Sequence, residues 1–206
     1  MTPQPTFRDD DLANASHFDA SARAHKHGHL AVDWGSASSQ QLRFDVLIQL
    51  LGISSGMRVL DVGCGVGGLL DRLVEFGIDV QYHGIDISQE MIDICRSRHS
   101  SHTFTLGSVL EVDVPACDVA IASGIFNLRQ TSPMDFLQAV ASKMMQLSER
   151  GMGFNCLSSE ADSKTPGEFH ACPGEVLAFA HTLGRHVRYD HSYLPHDFTI
   201  AVLRAS

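Results

Sequence analysis

Two aspartates separated by a glycine-rich turn are the residues of this chain best suited to chemistry. Asp61 follows the apolar pair Val59-Leu60 and stands just ahead of Gly63, Gly65, Gly67 and Gly68, while Asp86 closes a second run, Tyr82-His83-Gly84-Ile85. A turn poor in Cβ atoms between a strand and a helix lets backbone and helix N-terminus approach a nucleotide-like ligand closely. Gly63, Gly65 and Gly68 satisfy G-x-G-x-x-G, which points first to a dinucleotide. Asp61 argues otherwise, because a carboxylate at the strand tip repels a pyrophosphate held on the same turn and suits a ligand that presents a cation. Asp86 lies at about the separation at which such folds place a ribose-binding carboxylate.

A cation at the turn and a ribose beyond it describe S-adenosylmethionine, whose amino-acid end carries an ammonium. The stretch VLDVGCGVGGLL followed by GIDISQEMI resembles the class I S-adenosylmethionine-dependent methyltransferases. Three further stretches, WGSASSQQLRF, ASGIFNLR and FNCLSS, are similar to a bacterial small-molecule branch of that superfamily, and the similarity runs over about 34–203. The resemblance implies S-adenosylmethionine as cofactor, held at Asp61, Gly63, Cys64, Gly65 and Asp86. Ile87 and Met91 are expected against the adenine. Ser108 and Val109 stand where related enzymes carry an acidic or polar residue near the adenine amino group. Ser123 and Gly124, at the carboxyl end of the strand over 117–122, are also expected at the cofactor. Trp34 has two readings, a core plug or a pocket wall that attracts the sulfonium by a cation–π contact of up to about 2 kcal/mol. Arg43 likewise has two, a bidentate clamp on the cofactor carboxylate or a surface ion-pair member.

For catalysis the first polar candidate is Asn127, delivered by the strand over 117–122 through Ser123-Gly124-Ile125-Phe126; it can equally close the turn on its own backbone. Tyr193 and His191, with His196 and Asp197, are candidate bases or positioning groups, provided the turn over 192–197 shares an edge with the other loops, which here would take a slightly irregular topology. Cys64 reads as a small filler rather than a nucleophile. His25, His27 and His29 alternate, but no Cys or paired carboxylate completes a metal site, so an exposed cluster is expected and no metal is called for.

The elements that must position these residues follow from periodicity. Leu42, Val46, Leu47 and Leu50 fall at helical spacing within 40–51. Helices are expected over 69–76, over 89–98 with Ser88 as cap, over 133–148 opened by Pro133, and over 173–183. Strands are expected at 103–106, 117–122 and 151–157, with a final antiparallel pair at 187–191 and 198–203. This order predicts an α/β domain, a doubly wound, mostly parallel seven-stranded sheet with helices on both faces. Residues 1–39 are expected to form an N-terminal lid or arm, polar and frayed at its start, and 40–206 the cofactor-binding domain; 162–171 is a candidate lid.

Composition narrows the function further. A length of 206 residues with 44% hydrophobic residues suits one core. A net charge of −9 argues against a phosphate-backbone partner, since nucleic-acid affinity rests on Lys and Arg. No apolar run is long enough to span a bilayer, MTPQPTFRDDD does not read as a signal peptide, and five cysteines without a C-x-x-C pair suit a reducing cytoplasm. The expected partner is a small-molecule substrate, without nucleic acid or membrane, for a monomer or homodimer. The favoured reaction is methyl transfer to a small molecule, free or carrier-bound. An alternative is intramolecular cyclisation of S-adenosylmethionine to azetidine-2-carboxylate and methylthioadenosine, for which the scarcity of cap segments argues. A cofactor-binding protein without catalysis is a third reading, and a NAD enzyme a distant fourth.

Overall fold

The computed structural model describes residues 7–25, 29–32, 36–128 and 130–205. Trp34 and His27 therefore lie outside the described residues. The chain runs α1 (Arg8–His25), a single 3-10 turn (His29–Val32), α2 (Ala37–Leu51), β1 (Arg58–Val62), α3 (Gly68–Glu75), β2 (Gln81–Asp86), α4 (Gln89–Arg98) and β3 (Thr103–Leu106). It continues through β4 (Cys117–Ala122), α5 (Pro133–Leu147), β5 (Ser148–Leu157), α6 (Pro173–Leu183), β6 (His186–Leu194) and β7 (Asp197–Leu203). The seven strands form one sheet in the order β3-β2-β1-β4-β5-β7-β6. Neighbours are parallel except where β7 runs against both β5 and β6. The expected α/β architecture is the observed one.

Each face of the sheet is covered by its own apolar layer. Leu60, Val62, Ala120, Phe154 and Ile200 pack with α5 and α6 on one face; Val59, Tyr82, Ile121 and Ala201 pack with α2, α3 and α4 on the other. The alternation along β1 follows from the strand period, so Val59 and Asp61 share the face that carries Tyr82. Chain order reverses between β1 and β4, which leaves a crevice at the carboxyl edge of the sheet where α/β proteins take their ligands.

Three elements differ from expectation. Within the stretch expected as a polar N-terminal arm the chain is helical from Arg8, with Asp9, Asp10 and Asp11 in the first turn, where carboxylates favour a helix N-terminus. Tertiary bonds secure it: Asp10 accepts from the Thr131 amide at 2.8 Å, and Asp19 accepts from the Ser88 hydroxyl at 2.6 Å. Strand β6 extends to Leu194, through residues whose polarity reads as a turn. Its register with β7 breaks between Asp190 and Leu194, and Asp190 accepts from both the Ser192 amide and hydroxyl at that irregularity. Finally, because β7 is reversed, its start pairs with the end of β5, Leu157 opposite Asp197. The short β6–β7 connection therefore reaches the ligand edge without an irregular topology.

One glycine of β2 links packing to the crevice. A Cβ on Gly84 would lie 2.8 Å from the Cys64 sulfur, 3.0 Å from the Cys64 Cβ and 2.9 Å from the Phe104 ring. Cys64 belongs to the turn after β1 and sits too near the backbone to swing aside. Gly84→Ala should destabilise the fold by about 1–3 kcal/mol, as overpacking of a dense core does. Denaturant unfolding measures this, and a loss under about 0.5 kcal/mol would mean that the turn yields freely.

Candidate active site

The turn after β1 is bound to the end of β2 through its own amides. The Gly63 and Cys64 N–H groups donate to the Ile85 carbonyl at 2.8 and 3.1 Å, and the Gly65 N–H donates to Asp86 Oδ2 at 2.8 Å. Gly63 (φ 75°) and Gly65 (φ 54°) hold left-handed backbone, and a Cβ on Gly63 would stand 2.2 Å from Ile125. These amides face the sheet, so the turn is not a phosphate cradle. Asp86 Oδ1 accepts the Ser88 N–H at 2.9 Å, which fixes the start of α4, and Ser88 caps that helix through the Met91 amide, as expected.

A cleft opens over this turn. Asp61, Gly63, Cys64, Gly65, Asp86, Ile87, Met91, Ser108, Val109, Ser123 and Gly124, all expected at the cofactor, line it together. Gln40 and Phe44 of α2, Phe18 of α1, Val32, and Phe136 and Val140 of α5 complete its walls. Its charged lining is Asp11, Asp61 and Asp86, with no Lys or Arg among the described lining residues. The cleft is thus electrostatically suited to a cation, and its glycine floor admits a ligand at backbone range. These features fit S-adenosylmethionine. Asp61 stands where it can hold the ammonium, Asp86 where its remaining lone pairs can take ribose hydroxyls, and Ile87, Met91 and Val109 offer apolar surface for the base.

Asp61 is buried, and the Tyr82 hydroxyl donates to its Oδ2. Burial pushes its pKa up to about 7, against the Tyr82 bond, with nearby Asp86 adding to the rise. Burial also raises Asp86, opposed by the amides of Ser88, Gly65 and Ile87. Cys64 is buried, and the neighbouring Cys95 thiol and desolvation lift it well above an ordinary thiol, consistent with a filler.

Beside the cleft lies a wider basin of about 1520 Å³, and Phe18, Val32, Gly124 and Leu128 line both. Asn127, Asn155, Asp197, His196 and Arg43 stand around it. Arg43 is buried, its Nε donating to Asp197 Oδ2 at 2.6 Å and its Nη1 to the Ser39 hydroxyl at 2.7 Å. It lines the basin and not the cleft, so it is an ion-pair member rather than a cofactor clamp, but the pair is buried and not at the surface as expected. Burial raises Asp197 to about 6, opposed first by Arg43. Tyr193 and His191, expected as candidate bases, line neither depression. The Tyr193 hydroxyl donates to Asp197 Oδ1 and lies 2.7 Å from the Thr199 hydroxyl, turned into the sheet by the β6 irregularity. His191 packs near Tyr189 and Phe198 on the edge strand.

Residues that sequence reasoning missed include Asn155, whose Oδ1 accepts the Gly124 N–H at 3.0 Å while its Nδ2 donates to the Ser123 hydroxyl at 2.9 Å. A lone amide in a buried strand is a signal for it. Nothing in the sequence marks Asp11 or Phe18 as cleft residues. Among the described residues, no group of three or more His, Cys, Asp or Glu is arranged to hold a metal ion, and no helix is long and apolar enough to cross a membrane.

The raised pKa of Asp61 has two consequences of known sign. Its native value of about 7 exceeds the ordinary 3.8, so between these limits the folded, ligand-free protein binds a proton that the unfolded chain lacks, and stability falls as pH rises across that window. A ligand ammonium favours the ionised carboxylate, so affinity for S-adenosylhomocysteine should climb as pH rises through 7 and then level. Titration calorimetry across this range tests it. Asp61→Asn should weaken binding about tenfold or more and flatten the slope; an unchanged slope would assign the titration to another group.

Comparison with known proteins agrees with this geometry. Residues 53–175 match the family model described as a methyltransferase domain. A Mycobacterium tuberculosis protein named as a methyltransferase is 29% identical over 169 residues, covering 77% of this chain and 100% of its own length. The malonyl-[acyl-carrier protein] O-methyltransferase of Serratia marcescens is 34% identical over 87 residues, 40% of this chain and 33% of its own. Among solved structures, magnesium protoporphyrin IX methyltransferase from Synechocystis PCC 6803 with bound S-adenosylmethionine superposes with a TM-score of 0.72 at 16% identity, covering 96% of this chain and 98% of that one. The fold is also shared, at a TM-score of 0.64 and 19% identity over 91% of this chain and 76% of the other, by the [4+2]-cyclase SpnF. The chain belongs to the methyltransferase-domain family and is an S-adenosylmethionine-dependent methyltransferase.

Proposed function

We propose that the acceptor is a small molecule, free or presented on a carrier, whose nucleophile enters from the basin and meets the cofactor methyl near Gly124. The observation that carries this reading is the continuity of the two depressions, since Phe18, Val32, Gly124 and Leu128 belong to both. A basin of about 1520 Å³ exceeds the roughly 300–1,000 Å³ of ordinary small-ligand pockets, which suits a bulky or tethered acceptor. Intramolecular cyclisation would need no such second chamber.

When bound, S-adenosylmethionine supplies a methyl carbon already activated by a sulfonium. What remains for the protein is to align the nucleophile and take up its proton where it carries one. Asn127 is suited to alignment: it borders the basin, and its Oδ1 is buried with no hydrogen-bond partner among the described residues. His196 is suited to proton uptake, because burial, then Arg43 and His170, lower its pKa and keep the imidazole neutral near pH 7. Tyr193 acts through Asp197, holding the carboxylate that pairs with Arg43. The segment over 162–171 borders the basin through Thr165, Pro166, Gly167, Glu168 and Phe169, and the Phe169 N–H donates to the Asn127 carbonyl at 3.4 Å, which suits a cover over the acceptor.

Mass spectrometry of the protein with S-adenosylmethionine, alone and with a panel of free and carrier-bound hydroxyl, amine and carboxyl acceptors, tests the proposal. With cofactor alone, methylthioadenosine should not exceed the uncatalysed background; with a competent acceptor, S-adenosylhomocysteine and a methylated product should form together. Methylthioadenosine with azetidine-2-carboxylate from cofactor alone would overturn it in favour of cyclisation. His196→Gln should lower kcat about a hundredfold with an acceptor that must lose a proton, while cofactor affinity stays within about twofold.

A further inference from the structure

The third carboxylate of the cleft, Asp11, has no assigned work. Asp61 stands at the end of β1 and Asp86 at the end of β2, and the strand order β3-β2-β1 puts the end of β3 next outward. A ligand with its ammonium on Asp61 and its ribose on Asp86 therefore extends its base toward Gly107, Ser108 and Val109, which line the cleft there. The apolar surfaces of Ile87, Met91 and Val109 suit the faces of a flat ring. Its edge needs a polar partner, and among the described β3-loop side chains that line the cleft only Ser108 carries a polar group.

Asp11 reaches this end from α1. It lines the cleft, is half-buried, and is faced by Ser108 and Glu111 of the β3–β4 connection, by Gln130 of the β4–α5 connection, and by Asp10 of its own helix. Burial raises its pKa, Glu111 and Asp10 add to the rise, and the Ser108 and Gln130 side chains oppose it. Gln130 faces this carboxylate, yet neither of its buried amide atoms has a partner within hydrogen-bond distance. Asp11 is thus faced by polar side chains from two connections, and the Gln130 amide among them is left without a close partner.

We propose that Asp11 accepts a hydrogen bond from the exocyclic amine of the cofactor's adenine, so that the N-terminal helix reads the base. Helix α1 is then part of the cofactor site, and its docking on Thr131 and Ser88 sets the position of that carboxylate. The chemistry predicts discrimination between an amino purine, which donates to Asp11, and an oxo purine, which turns an acceptor toward it and is repelled.

Titration calorimetry with S-adenosylhomocysteine and S-inosylhomocysteine tests this on binding alone. The unaltered protein should prefer the adenine compound by about tenfold or more. Asp11→Asn, whose amide can donate as well as accept, should bring the two affinities within about threefold. Asp9→Asn, at an exposed position of the same turn that lines neither depression, should keep the original preference. The proposal is overturned if the unaltered protein binds both compounds equally, a result that needs no variant, or if Asp11→Asn weakens both by the same factor.

Discussion

The buried Asp86 carboxylate is the point on which the site depends. One oxygen takes the Gly65 amide and the other the Ser88 amide, so a single side chain fixes the glycine turn after β1 and the first turn of α4. A buried carboxylate is tolerable only when such donors replace water. The same bonds set the distance between the turn and the tip of β2, which is the distance a ligand must span. Gly84 allows the arrangement from beneath, since a Cβ there would strike Cys64.

Around this anchor the cleft is negative. Asp61 and Asp86 are buried on adjacent strands, Asp11 closes the outer end, and the lining contains no Lys or Arg among the described residues. Carboxylates gathered in a partly dry space raise one another's pKa, and a cationic ligand relieves that cost. The turn amides point into the sheet rather than at the ligand. Both facts separate this site from a dinucleotide pocket built on the same glycine spacing, in which free amides and a helix N-terminus meet a pyrophosphate.

Much of this was legible in the sequence because it is local. The strand, glycine turn and helix, the Ser88 cap and the two strand-end aspartates are each written in a few adjacent residues. What was not legible depends on the return of distant chain. Asp11 and Phe18 enter the cleft because α1 lies across the carboxyl edge of the sheet, held by Asp10 at Thr131 and Asp19 at Ser88, contacts between residues more than sixty positions apart. Tyr193 reads as a base by type, yet a break in the β6 register turns its hydroxyl toward Asp197 and Thr199. Side-chain direction at an irregular strand cannot be counted from a period of two.

The reversed β7 has a consequence for the acceptor side. Its first residue, Asp197, arrives at the ligand edge opposite Leu157 and is buried against Arg43. A buried ion pair of this kind adds little net stability, because desolvation of both charges offsets their attraction, whereas losing one partner strands the other. Its effect is on the basin. Arg43 is the only guanidinium among the described lining residues, and pairing with Asp197 cancels its charge, while Ser39, Tyr193 and Thr199 use much of the remaining hydrogen-bonding capacity. With Arg43 paired and the Asp10 and Glu168 carboxylates also in its lining, the basin gives little to hold a free phosphate or carboxylate. For the acceptor proposed above it leaves shape, the Asn127 amide, and apolar surface at Phe18, Leu157, Phe169 and Leu194. In the proposed arrangement, attraction of a nucleophile to the methyl comes from the sulfonium in the cleft rather than from a cation in the basin, and the two chambers divide the electrostatic work between them.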